Sequence, residues 1–236
     1  MTTVLNVPFT LNLDQLMEKQ KIRPGRGAAH EFTELVESVQ AVACPKVLFT
    51  TAYVQERGEN CVTINGQTFV SSAMRANLAE VNRVFAYICT CGAEVDTIPL
   101  EPGDFVRKAW LYYLKLELLS FCHPVLMRVL KEQYQVEKLA SMNPGSGDAS
   151  VWPIQQQTGL FALLGDVQSL VGVRLTESFL MVPEASVSGI LFETAHDYQN
   201  CQLCQRENCP NRRAVFDPVL WNAMQTQGHD GAHPSF

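Results

Sequence analysis

Three cysteines stand close together late in the sequence, Cys201, Cys204 and Cys209, spaced C-x2-C-x4-C. Three thiols in a polar, turn-rich segment can converge on one ion or cluster. Arg206, Arg212 and Arg213 beside them would help hold the thiolate form that binds metal. Zinc would need a fourth ligand, for which Cys89, Cys91, Cys122 and His196 are available. An iron–sulfur cluster would also take four thiolates, and spacing does not decide between the two. The plain alternative is three reduced cysteines in a loose tail. Cys89 and Cys91 form a C-x-C whose side chains share one face if the segment is a strand. They could reach the same metal site, or simply be two buried strand cysteines.

A second group of residues suits a small ligand. Asn143, Pro144, Gly145, Ser146, Gly147 and Asp148 make a polar loop whose glycines permit positive φ and close backbone approach. Taken alone, it is also an ordinary connection. Two glutamates sit in apolar company. Glu117 shares a helical face with Tyr113, Leu114, Ser120 and Phe121, and Glu177 falls in a mostly apolar strand. Each has a buried partner, has a raised pKa, or points outward to water. The five histidines show no metal-protease or triad spacing, and no G-x-S-x-G, P-loop or G-x-G-x-x-G occurs.

The elements that must position these groups follow from pattern. The chain has 236 residues, 47% hydrophobic and 18% charged, with net charge −6. That is enough to bury a core without disulfide staples, and the acidic balance argues against nucleic acid or an anionic membrane as partner. The most apolar run, 109–130, is interrupted by Lys115, Glu117, His123, Pro124 and Arg128, so it does not read as a membrane span. The first residues lack a basic n-region and an apolar core, so no signal peptide is read and a cytoplasmic location is expected. In that reducing setting eight cysteines point to metal, cofactor or catalysis rather than disulfides.

Helices are expected over 13–44, split by Arg23-Pro24-Gly25-Arg26-Gly27. A strand is expected at 46–54, and a hairpin around Asn65-Gly66. Ser71-Ser72 should cap a short helix reaching about residue 79. Residues 84–91, VFAYICTC, read as a central strand buried on both faces. Pro102-Gly103-Asp104 starts a long helix, apolar almost all round over 109–122, which Pro124 should kink or break before it resumes to 138. A short helix at 154–164 and strands at 173–182 and 186–192 complete an α+β domain. The expected division is 1–195 for this domain and 196–236 for a cysteine-rich segment with a frayed end.

Gly159-Leu-Phe-Ala-Leu-Leu-Gly165, then Gly172-Val-Arg-Leu-Thr-Glu-Ser178, Met181-Val-Pro183 and Ser186-Val-Ser-Gly189 together resemble the reactivation domain of cobalamin-dependent methionine synthase. The likeness covers roughly 143–192 well, and the hairpin and VFAYICTCG strand more loosely. It implies a C-shaped α+β fold with a central, mainly antiparallel sheet flanked by helices, binding S-adenosylmethionine. It also implies docking on a corrinoid protein or a methionine synthase subunit as a freestanding protein. There an electron and a methyl group would return oxidised Co(II) cobalamin to methylcobalamin. Pro144 and Gly145 match the family's Pro-Gly loop, with Asn143 and Ser146 beside them, and Glu117 stands as a looser match to an acidic helix residue reaching the ligand. Serines occupy Ser141 and Ser146 where the family has arginine and tyrosine. Serine cannot grip a carboxylate bidentately, so the ligand is either not bound or met by another cation.

Three functions follow. The first is reactivation of a corrinoid protein, an accessory to methyl transfer with cobalamin on the partner and a separate electron-donor protein. The second is an iron–sulfur electron carrier on the same scaffold without S-adenosylmethionine. The third is a zinc-stabilised, non-catalytic binding module.

Overall fold

The computed structural model describes residues 2–25, 27–148, 151–194, 198–209 and 212–226. His196 and the 228–236 end, expected as a metal ligand and a frayed tail, lie outside them. The fold is α+β and is built on one seven-stranded antiparallel sheet. Its strands are β1 (Thr2–Asn6), β2 (Lys46–Arg57), β3 (Cys61–Ile64), β4 (Gln67–Val70), β5 (Arg83–Thr90), β6 (Leu139–Met142) and β9 (Ser186–Glu193), in the order β4-β3-β2-β5-β9-β6, with β1 also on β2. A small hairpin of β7 (Arg174–Leu175) and β8 (Met181–Val182) stands apart from it. Among the described residues, no helix is long and apolar enough to cross a membrane.

β5 is central and buried on both faces, as its unbroken apolar run predicts. Val84, Ala86 and Ile88 face one core, beneath α5 (Gln157–Leu164) and α6 (Val167–Val171). Phe85, Tyr87 and Cys89 face the other, beneath α4 (Phe105–Tyr134). The Asn65-Gly66 turn has φ of 43° and 80°, the left-handed pair that a two-residue hairpin needs. Ser71 caps α3 (Ser72–Asn77), its Oγ accepting from the Met74 N–H at 2.9 Å. The helices predicted over 13–44 are α1 (Leu13–Lys19) and α2 (Gly27–Val42), which pack on α4 with Phe32 edge-on to Trp110 at 5.3 Å.

α4 differs from expectation in three ways. It runs unbroken through Pro124 for 30 residues, and it ends at Tyr134 rather than 138. Pro124 and Ser120 both lie on the exposed face, where water can take the Ser120 carbonyl that the proline leaves unpaired. Nor is the helix buried all round. Leu111, Leu114, Leu118, Cys122, Leu126 and Leu130 form one buried stripe, while Phe105, Val106, Tyr112 and Leu116 are exposed. The sheet covers only one side of a helix, and α1 and α2 reach only part of the rest.

β1, β6 and α6 were not expected from the sequence. The C-terminal segment docks on the domain: Leu203 is fully buried, and Leu220 and Trp221 of α7 (Pro218–Thr226) pack against the same core.

α4 also carries a buried cation. Lys115, 6% exposed, bonds Asp96 at 2.5 Å and Glu184 at 2.9 Å, tying the helix to the bend between β8 and β9. Burial opposes its charge, but the two carboxylates outweigh that and raise its pKa above 10.5. Burial likewise works against ionised Glu184, and the Lys115 ammonium overcomes it, holding Glu184 below 4.5. The Glu184 contribution to stability is therefore present above pH ~4.5 and lost as pH falls through its lowered value; the Lys115 contribution is lost only as pH rises through a value above 10.5. Because both carboxylates are partly solvated, Lys115→Met should cost about 1–3 kcal/mol at pH 7, less than a fully buried pair would. Its unfolding free energy should fall less steeply than wild type below pH 4.5. Urea melts of both proteins between pH 3 and 7 check this, and parallel acid limbs would refute it.

Candidate functional site

The site begins where β6 ends. The Asn143 side chain turns back across β9, its Nδ2 donating to the Tyr87 hydroxyl at 2.8 Å and to the Ser188 carbonyl at 2.8 Å. It can do so because residue 189 is glycine. A Cβ there would sit 2.4 Å from the Met142 carbonyl oxygen and 2.5 Å from Asn143 Nδ2. The loop then continues through Gly145 and Gly147 at φ of 70° and 85°. Its far side is held by the Gly145 N–H, which donates to the Trp152 carbonyl at 2.8 Å, and Trp152 is itself fully buried edge-on to Phe69. The loop is thus anchored at both sides.

Three more pieces complete a cleft of about 530 Å³, within the ~300–1,000 Å³ usual for small-molecule sites. Ser186, Val187 and Ser188 of β9 contribute from the sheet. Phe179, Leu180 and Met181, at the turn into β8, form an apolar wall, with Phe179 at φ 62° and the Thr176 N–H bonded to the Leu180 carbonyl. The opposite wall is the C-terminal segment, bearing Asn200, Cys201, Cys204, Cys209 and Arg213. Gly147 lies against it, with space for only an ordinary Cβ contact to Cys204. With its amide oriented to satisfy its neighbours, Asn200 accepts from the Asn143 N–H at 3.2 Å and donates to the Ser141 carbonyl and Tyr198 hydroxyl.

The two adjacent arginines of this wall differ. Arg212 turns its guanidinium onto the carbonyls of Cys201, Cys204, Arg206 and Ala214, folding the segment around itself. It therefore organises the cysteine backbone rather than the thiolates, which corrects the expected role. The Arg213 N–H donates to Cys201 Sγ at 3.4 Å, and its side chain is exposed to the cleft.

Of the residues singled out in the sequence, Asn143, Pro144, Gly145 and Ser146 line this cleft together with Cys201, Cys204 and Cys209. Glu117, Glu177, Cys89 and Cys91 do not. Glu117 lies on α4 facing α1; burial disfavours its charge, but Lys19 at 2.8 Å prevails and holds its pKa down. Glu177 is exposed in the turn between β7 and β8, because the strand expected at 173–182 is a hairpin of two-residue strands. Cys89 and Cys91 share a face, as expected, but that face packs under α4. Burial pushes the Cys91 thiol up to about 12 and Cys89 well above its ordinary value, so both stay protonated. Cys122 is buried beside them and reaches the Thr90 carbonyl. Among the described residues, no three metal-ligating side chains lie close enough to hold an ion. Sequence reasoning passed over Glu184, Phe179 and Asn200, whose places depend on the hairpin and the docked tail. It named Arg213 only as a neighbour of thiolates.

Residues 106–213 match the family model described as the activation domain of vitamin B12 dependent methionine synthase. All the cleft residues fall within that segment. Among solved structures, the crystal structure of the MetH reactivation domain bound to AdoHcy superposes with a TM-score of 0.56 at 15% identity, covering 84% of this chain and 80% of that one. No curated protein matches the sequence. The chain resembles the reactivation domain of cobalamin-dependent methionine synthase in sequence over the matched segment, and in fold over most of its length.

The loop anchor is open to test. Asn143→Ala removes both bonds and leaves the buried Tyr87 hydroxyl without this donor, which should cost about 1–3 kcal/mol. Gly189→Ala should be comparably damaging, since its Cβ has no room beside Met142 and Asn143. Denaturant midpoints measure both, and wild-type midpoints would show that the crossing does not hold the loop.

Proposed function

We propose that this chain binds S-adenosylmethionine in the cleft beside the 143–147 loop and supports reductive methylation of a corrinoid cobalt carried by a partner. That partner would be a cobalamin-dependent methionine synthase or a related corrinoid protein. The observation that carries this reading is the cleft itself, which lies wholly inside the segment matching the activation-domain family. The similar MetH structure holds AdoHcy, the demethylated product of the same methyl donor.

The residues present fit such a ligand. Loop backbone turned at positive φ by Gly145 and Gly147 brings carbonyl groups close to a polar head group. Phe179, Leu180 and Met181 offer an apolar surface for the adenosyl portion. Glu184, kept ionised by Lys115, supplies a negative charge suited to an ammonium. The corrinoid supplies the nucleophile: one electron from a separate donor reduces Co(II) to Co(I), which takes the sulfonium methyl group and releases S-adenosylhomocysteine. This chain's part is to hold the methyl donor in place, so its contribution is orientation rather than a covalent intermediate.

Calorimetric titration of anaerobically purified protein with S-adenosylmethionine and S-adenosylhomocysteine tests the reading. Saturable binding of both is expected, weakened about tenfold or more by Gly145→Val, whose side chain would press on Ile154 and strain a backbone at φ 70°. Absence of binding, with or without a corrinoid protein present, would remove the methyl-donor role. With binding in hand, visible spectra of a Co(II) methionine synthase plus reductant should show methylcobalamin only when both this protein and S-adenosylmethionine are added.

A further inference from the structure

An α-amino acid head group brings a carboxylate into the cleft, and that charge needs a partner once water is displaced. The loop has none to give: Asn143 to Ser146 are uncharged, and Ser141 behind them offers a hydroxyl. Among the described residues that line the cleft, only two are charged, Glu184 and Arg213. Glu184 repels a carboxylate. Arg213 remains.

Its surroundings make it available. Among the described residues Arg213 forms no ion pair, whereas every guanidinium bond of its neighbour Arg212 goes to the backbone of the segment. Its main chain is fixed between that staple and the bond from its own N–H to Cys201 Sγ, so the side chain extends from a set position. Its charge acts on Tyr87 of β5 and His123 of α4: burial raises the Tyr87 phenol while the Asn143 bond and Arg213 counter it, and burial and Arg213 together lower the pKa of His123. Tyr87 is the group that anchors Asn143, and the guanidinium and the loop both line the cleft.

We infer that Arg213 receives the α-carboxylate of the ligand, taking from the C-terminal segment the cation that the loop lacks, and so sets the preference for an intact amino acid moiety. This rests on the proposed binding of S-adenosylmethionine. A guanidinium suits the task because its planar fork pairs two donors with both carboxylate oxygens. It also explains why the cysteine segment borders the cleft: it is the wall that carries the cation.

The test compares S-adenosylmethionine with decarboxylated S-adenosylmethionine, which has the same adenosyl and sulfonium groups and no carboxylate. Wild-type protein should prefer the intact ligand by about 10- to 100-fold, the value of one charge-assisted pair. Arg213→Ala should weaken the intact ligand by that factor and change the decarboxylated one by less than about threefold, and Arg213→Lys should restore part of the preference. The exposed side chain makes no hydrogen bond or ion pair among the described residues, and circular dichroism melts of both variants would verify that the fold is kept. Equal weakening of both ligands would make Arg213 a structural support and overturn the inference, as would an unchanged preference in Arg213→Ala. If wild-type protein binds neither ligand, the functional reading itself fails and the inference with it.

Discussion

The cleft depends on one missing methyl group. Asn143 must cross β9 to reach Tyr87, and the crossing is possible only while residue 189 has no side chain. Tyr87 in turn is held by its place on the central strand, sealed beneath α4. The amide therefore connects a cleft-lining loop to a buried strand at the centre of the sheet. A glycine in the interior of a strand weakens it, since nothing packs there and more backbone freedom is lost on folding. Here that weakness gives the loop a fixed origin, and loop position in turn sets where Gly145 and Gly147 can turn.

Local chemistry was readable from the residues, and long-range placement was not. The Asn65-Gly66 hairpin, the Ser71 cap, the Asp104 start of α4 and the two-faced burial of β5 all follow from patterns within a few residues. So does the polar glycine loop at 143–147, which the fold sets on the edge of the cleft. β6 escaped notice because four residues, LASM, carry too little alternation to mark a strand, and it exists because β9 offers an edge for it. Glu117 misled for a related reason: its apolar neighbours along α4 were visible, but Lys19, its partner, lies 98 positions away. α4 misled in the opposite sense, since its composition suggests burial all round and only the position of the sheet shows which stripe is covered.

The cysteines divide in the same way. Cys89 and Cys91 are spaced as C-x-C, but they and the solitary Cys122 sit where β5 meets α4, and there a thiol serves as a small apolar group that stays protonated. Cys201, Cys204 and Cys209 all reach the cleft, on a segment whose backbone is shaped by hydrogen bonds to Arg212. A spacing motif records which side chains can be brought together, whereas burial decides which chemistry remains open to them.

Arg212 and Arg213 make that distinction within two residues. A guanidinium carries five donors and no acceptor, so its charge is available to a ligand only if the fold does not use the donors first. Arg212 is surrounded by carbonyls and is committed to them. Among the described residues Arg213 meets the segment through its backbone N–H, and its side chain lines the cleft. Glu184, the other charged residue among the described ones of the lining, is paired with Lys115 and held ionised by it. The cleft lining thus carries one side chain of each sign, matching the two charges of an amino acid head group. The segment with the cation is also the segment that docks last in chain order, so the polarity of the cleft depends on the seating of Leu203 and α7 against the core.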